Sequence, residues 1–194
     1  MTAFLPPIEK PRSLPLRLIY FFTRRQVGKV ITPITTFAAR MPFAFMSFYG
    51  KLNRLDKKLQ LPQRTAVLLR EQVASINTCM FCMDAARWYA TRESADNRAR
   101  FDALPEYRTS PLFSTAERAA LDYATELTTD KKVAPDTFAR LAQHYTEREI
   151  CDIVWLVASE HLNNMTNIGL NIGSDGLCAV SAVPASRPTE TSIG

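Results

Sequence analysis

At 194 residues and 46% hydrophobic, the chain can bury a core as one domain, or as one domain carrying an arm. No apolar run approaches the ~18 residues a membrane span requires; the longest candidates, "VITPITTFAA" and "MPFAFMSFYG", are parted by Arg40 and carry prolines. The net charge of +5 is unevenly spread: residues 1–70 hold 13 Lys and Arg against Glu9 and Asp56, a balance of +11 that leaves −6 for the remainder. Such a basic third either meets an anionic membrane face or nucleic acid, or packs against the acidic remainder or a neighbouring subunit. No helix-turn-helix or RNA-module signature accompanies it, so no nucleic-acid partner is expected. Glu9 and Lys10 precede any apolar stretch and no small-residue cleavage pattern is present, so the reading is cytoplasmic. In that compartment a CxxC pair is more often catalytic or metal-binding than a lasting structural disulfide.

In chain order, Pro6, Pro7, Pro11 and Pro15 make residues 1–16 an extended arm. From Leu16 to Leu59 the pattern is helical, interrupted at Pro33 and Pro42. Val67, Leu68, Val73, Ala74 and Ile76 predict a helix over 64–76. Asn77-Thr78 breaks the chain, with Thr78 as N-cap of a helix from Cys79 through Ala90. "STAE" at 114–117 is a capping box opening a helix with Ala120, Tyr123, Ala124 and Leu127 on one face. Pro135 sits at a first helical position, where its missing N–H costs least. A second capping box, "TERE" at 146–149, opens a long helix whose inward stripe reads Ile150, Ile153, Val154, Val157, His161. No stretch alternates polar and apolar residues, so the fold class is all-α.

The chemistry centres on "NTCMFC", with Cys79 and Cys82 at a helix start. A working cysteine reacts as its thiolate, and the partial positive charge and unsatisfied N–H groups of a helix N-terminus favour that anion. The three-residue spacing keeps both sulfurs on one side, about 60° apart at ~3.6 residues per turn, so a disulfide can close with modest adjustment. The alternative is two buried, inert thiols. A structural zinc normally takes four ligands, whereas Cys151 and Cys178 stand alone, so no metal is expected. Glu71 is a candidate proton carrier only if the chain folds back at Asn77-Thr78; otherwise it is an exposed helix glutamate, ~16 Å from Cys82 along an unbroken helix. His161 is either a core histidine with a local hydrogen bond or a relay group. Asn163, Asn164, Asn167 and Asn171 recur at helical spacing and line a polar seam or satisfy helix ends and subunit contacts.

The segments "EQVASINTCMFCMDAARW", "FSTAERAALDYATELT" and "YTEREICDIVWLVASEHLNNMTNIGLNIGSDG" together resemble the alkylhydroperoxidase D-like, carboxymuconolactone decarboxylase superfamily. The resemblance implies a helical bundle over residues 35–178, preceded by an N-terminal arm and first helix (1–34) and followed by a flexible tail (179–194). It implies a homo-oligomer and a thiol peroxidase in which Cys82 attacks the peroxide and Cys79 resolves the intermediate to a disulfide. A dithiol or small thiol then reduces that disulfide, and no cofactor takes part. Dipole reasoning alone favours Cys79, nearest the helix start. Two departures stand out: the histidine expected four residues after the second cysteine is Ala86, followed by Arg87, and the glutamate expected twelve residues before the first is Val67. Glu71, one turn later, or His161 and Arg87 are the available substitutes, giving Cys82, Cys79, Glu71 and His161 as catalytic candidates. Competing readings are a lyase or isomerase acting on a small carboxylated metabolite, and a non-catalytic oligomeric scaffold with a basic arm.

Overall fold

The computed structural model describes residues 2–93 and 96–180, and among them there is no strand. Helix α1, Leu14–Val27, ends on Gly28 at φ 86°, the left-handed C-terminal position where glycine carries no Cβ penalty. Pro33 and Pro42 begin helical stretches rather than interrupting them. Pro33 leads into the wide π-type turns of Ile34–Ala38, and Pro42 opens α2 over residues 42–56. The remaining helices are α3 Gln63–Ile76, α4 Met80–Glu93, α5 Asp96–Asp102, α6 Thr115–Asp130, α7 Pro135–Ala142, α8 Glu147–Gly169 and the short α9 Leu177–Val180. Most of the proposed 179–194 tail lies outside the described residues.

The central element is α3, which packs against α4, α6 and α8. It buries Thr65 through Leu69, then Glu71, Val73 and Ala74, leaving almost no solvent face. Its large apolar side chains contribute roughly 1.5–3 kcal/mol each. Both capping boxes form as the sequence predicts. Glu117 N–H donates to Ser114 Oγ at 3.2 Å, and Ser114 N–H donates to Glu117 Oε2 at 2.9 Å. The same exchange links Thr146 and Glu149. Each box fixes where its helix starts and is worth about 1 kcal/mol.

The inward stripe of α8 differs from the expected one. Val154 is 39% exposed and His161 is half-buried, while Ile150, Ile153, Val157, Glu160, Asn164 and Asn167 are buried. The steps alternate three and four, the heptad spacing of a helix lying along its neighbour. The stripe is apolar up to Val157 and polar from Glu160 onward.

The basic N-terminal region packs partly on the remainder. Lys29 bonds the backbone oxygen and the carboxylate of Asp175, whose carboxylate also accepts from Thr32 N–H and Oγ1, both at 2.7 Å. Phe4 N–H donates to Leu170 O at 3.0 Å.

Candidate active site

Between α3 and α4 the chain reverses in a Schellman turn. Cys79 N–H donates to Ala74 O at 2.9 Å and Thr78 N–H to Ser75 O at 3.0 Å. Thr78, at φ 57°, is therefore the left-handed residue closing α3, not the N-cap of α4. That cap position falls to Cys79, whose carbonyl accepts from Met83 N–H at 3.0 Å. Cys82 is then the third residue inside the helix. N-cap and third residue are the two positions that a capping box links, each side chain reaching the other's backbone N–H. Here the pair is closed as a Cys79–Cys82 disulfide, Cα to Cα 5.3 Å. Both sulfurs sit where the helix terminus carries about half a positive charge.

The two cysteines are not equivalent. Both are buried in one cluster with Ala74, Trp88 and Leu177, Cys79 at 1% and Cys82 at 6% exposed, but of the two only Cys82 borders a cavity of about 410 Å³. One wall of this cavity comes from the N-terminal region, through Ile34, Phe37, Phe45 and Tyr49. Val67 and Ala86 also face it. The two positions where the family resemblance leads one to expect an ionisable relay thus point into the cavity but carry hydrocarbon. The polar lining comes from elsewhere. Asn167 Nδ2 donates to Cys82 Sγ at 3.4 Å, and Arg70 donates to Glu160 Oε2 at 3.1 Å and to Asp56 Oδ2 at 2.7 Å.

Of the candidate proton carriers, Glu71 is 1% exposed, so the chain break does fold it inward. It does not line the cavity, however, and accepts from Arg87 Nε at 2.7 Å; Arg87 also binds Asp102 at 3.0 Å. Burial raises the Glu71 carboxyl above its ordinary range, against the opposing pull of Arg87. His161 likewise does not line the cavity; its Nδ1 lies 3.2 Å from Asn77 Nδ2, and burial together with Lys131 lowers its pKa. Sequence reasoning missed Glu160, the neighbour of His161. Its carboxylate is 5% exposed, lines the cavity and accepts from Asn164 Nδ2 at 2.7 Å. Burial pushes its pKa upward, opposed by Arg70 and Asn164. Heptad steps from Ile150 reach Glu160, but a 3.6-residue stripe through His161 fits the sequence about as well, so no local signal singles it out.

Comparison with known proteins identifies the fold. The chain belongs to the same family as the uncharacterized protein YnjA, and its fold is alkylhydroperoxidase D-like. No protein-family model matches the sequence. Among individual proteins it is 31% identical over 180 residues to the uncharacterized protein YnjA of Escherichia coli (strain K12), covering 91% of this chain and 96% of that one. Its fold is that of the debrominase Bmp8, with TM-score 0.78 and 22% identity over 93% of this chain and 97% of that one. The alkylhydroperoxidase AhpD core of an uncharacterized peroxidase-related protein from Ralstonia eutropha JMP134 gives TM-score 0.75 and 19% identity, covering 90% and 94%.

Proposed function

We propose that the protein is a thiol-dependent oxidoreductase that reduces an organic, largely apolar substrate, cycling between the Cys79–Cys82 dithiol and its disulfide. The carrying observation is that one sulfur of a bridged pair at a helix N-terminus opens onto a mostly apolar cavity while the other does not line it. The Cys82 thiolate attacks the outer oxygen of a hydroperoxide; the O–O bond breaks, the alkoxide takes a proton and leaves as alcohol, and Cys82 becomes a sulfenic acid. Cys79 then attacks that sulfur, expelling water and closing the disulfide, which an external dithiol reduces. Glu160 is the proton carrier in this reading. It stands two helical turns, ~10.5 Å, from Asn167 along α8, leaving room for a ring-sized substrate or a bridging water.

A second substrate class is favoured by the same geometry. A mutant of Bmp8 carrying alanine in place of a cysteine has been solved in complex with 2,3,4-tribromopyrrole, and the cavity here suits a ring of that size. In reductive dehalogenation Cys82 would take the halogen from carbon as a sulfenyl halide while a proton replaces it on carbon. Cys79 would then displace halide, so that R–X and two thiols become R–H, halide, a proton and the disulfide.

Charge argues against the carboxylated-metabolite lyase. Arg70, the one Lys or Arg among the described residues that line the cavity, is already paired with Asp56 and Glu160, so among those residues an incoming carboxylate would find no spare cation.

The test is cumene hydroperoxide loss and bromide release from a brominated pyrrole, both with dithiothreitol, in wild type, Cys82→Ser and Cys79→Ser. Loss of turnover in both variants is expected. Equal rates in wild type and Cys82→Ser would overturn the assignment, and the productive assay names the substrate class.

A further inference from the structure

The contact between α8 and the dithiol has a chemical direction. A disulfide sulfur has no hydrogen to give, so at 3.4 Å the side-chain amide of Asn167 meets Cys82 with its N–H group, as donor. The amide is 6% exposed and belongs to the cavity wall. Its Oδ1 is shielded from solvent and accepts from no group among the described residues, so no second hydrogen bond fixes that oxygen. An amide so placed can serve either protonation state of a reduced Cys82. It donates N–H to a thiolate, and after a half-turn of its terminal torsion it accepts from S–H. A charge-assisted bond to the thiolate is stronger than a weak S–H bond to a carbonyl, so the net effect favours the anion. Among the described residues Cys79 has no such partner and does not line the cavity.

We propose that Asn167 is a catalytic residue of the dithiol, the group that holds the thiolate on Cys82 and so assigns attack to Cys82 and resolution to Cys79. The inference rests on the redox reading above for its use. Its observable, the order of the two thiol pKa values, does not depend on any substrate. The helix terminus favours an anion at either sulfur, and the amide breaks that tie.

The experiment is pH-dependent alkylation of the fully reduced protein with iodoacetamide, with each cysteine followed by peptide mass spectrometry. Wild type should label Cys82 at lower pH than Cys79. In Asn167→Ala the Cys82 midpoint should rise by about one pH unit, a tenfold loss of thiolate at neutral pH, while Cys79 stays in place. Asn167→Asp, isosteric and unable to donate when ionised, should raise it further and covers the case in which the alanine variant misfolds. Asn164→Ala removes a fully buried amide on the same face that bonds Glu160 and Asn77 but not sulfur, and should leave the Cys82 midpoint unmoved. An unchanged midpoint in both Asn167 variants, or an equal shift in Asn164→Ala, would overturn the proposal. If the shift appears but Cys82→Ser turns over as well as wild type, the redox reading and the catalytic role fall, and what stands is that Asn167 sets the order of the two thiol pKa values.

Discussion

Arg70 and Glu71 are neighbours on α3 with different partners: Arg70 reaches Glu160 at 3.1 Å on the cavity wall, and Glu71, which does not line the cavity, takes Arg87 at 2.7 Å. Of these two glutamates, Glu160 and Glu71, it is the one on α8 that lines the cavity. Glu160→Gln should lower turnover about 10²-fold or more, the scale of a lost general acid or base. Glu71→Gln should leave turnover within a few-fold. Steady-state rates of the two variants with the productive substrate decide the matter, and the reverse order would return the role to Glu71.

Glu160 also predicts a pH dependence of stability. Its folded pKa lies above the ordinary 4.5, so the folded chain holds this proton more tightly than the unfolded one. The stability from this group is full below 4.5 and is lost as pH rises through the folded value. His161, with its pKa lowered, works in the opposite sense, so the comparison must isolate the carboxylate. Between pH 5 and pH 7 the urea midpoint of wild type, relative to Glu160→Gln, should fall as pH rises. Parallel curves would show that Glu160 titrates normally.

Thr78 holds φ 57° with a β-branched side chain, exposed at the turn. A left-handed residue that is not glycine costs about 1 kcal/mol. Thr78→Gly should therefore raise stability by roughly 0.5–1 kcal/mol in equilibrium unfolding, with the Cys79–Cys82 pair still able to close. A loss of stability would mean the threonine makes contacts that outweigh the strain.

Asp84 anchors the chain after α8. Burial alone would raise its carboxyl, but N–H groups of Leu177 and Cys178 and the Ser174 hydroxyl, at 2.9, 3.1 and 2.8 Å, outweigh that and hold it low. Asp84→Ala removes the acceptor those three donors share and should cost about 1–3 kcal/mol. It should also speed amide hydrogen exchange at 174–178 before the rest of the chain. Uniform exchange would show that this segment opens only with global unfolding.

Phe45 and Tyr49, ring centroids 5.2 Å apart, close the cavity from the N-terminal side. Phe45→Ala should raise KM for cumene hydroperoxide about tenfold, in line with losing a buried aromatic contact. Turnover of hydrogen peroxide, too small to touch that wall, should change little. Equal effects on both peroxides would place Phe45 outside the substrate path.

Residue order alone determined much of this protein. Two capping boxes, a proline at a first helical position and the absence of strand alternation are local signals, and they set the helices and the all-α class. Asn77-Thr78 marked the break that brings the dithiol to a helix end, although the cap proved to be Cys79, because the Schellman turn claims Thr78 for the preceding helix. Only the tertiary structure decided which polar residues meet the sulfurs. On an isolated helix, stripes through His161 and through Glu160 fit the 3.6-residue period about equally well, and Arg70 and Glu71 differ by a single step of about 100°. Packing of α8 along α3 selects the heptad face, burying Glu160, Asn164 and Asn167 and turning His161 aside. The cavity wall from residues 31–49 is a contact between distant parts of the chain, and no local pattern encodes such a contact.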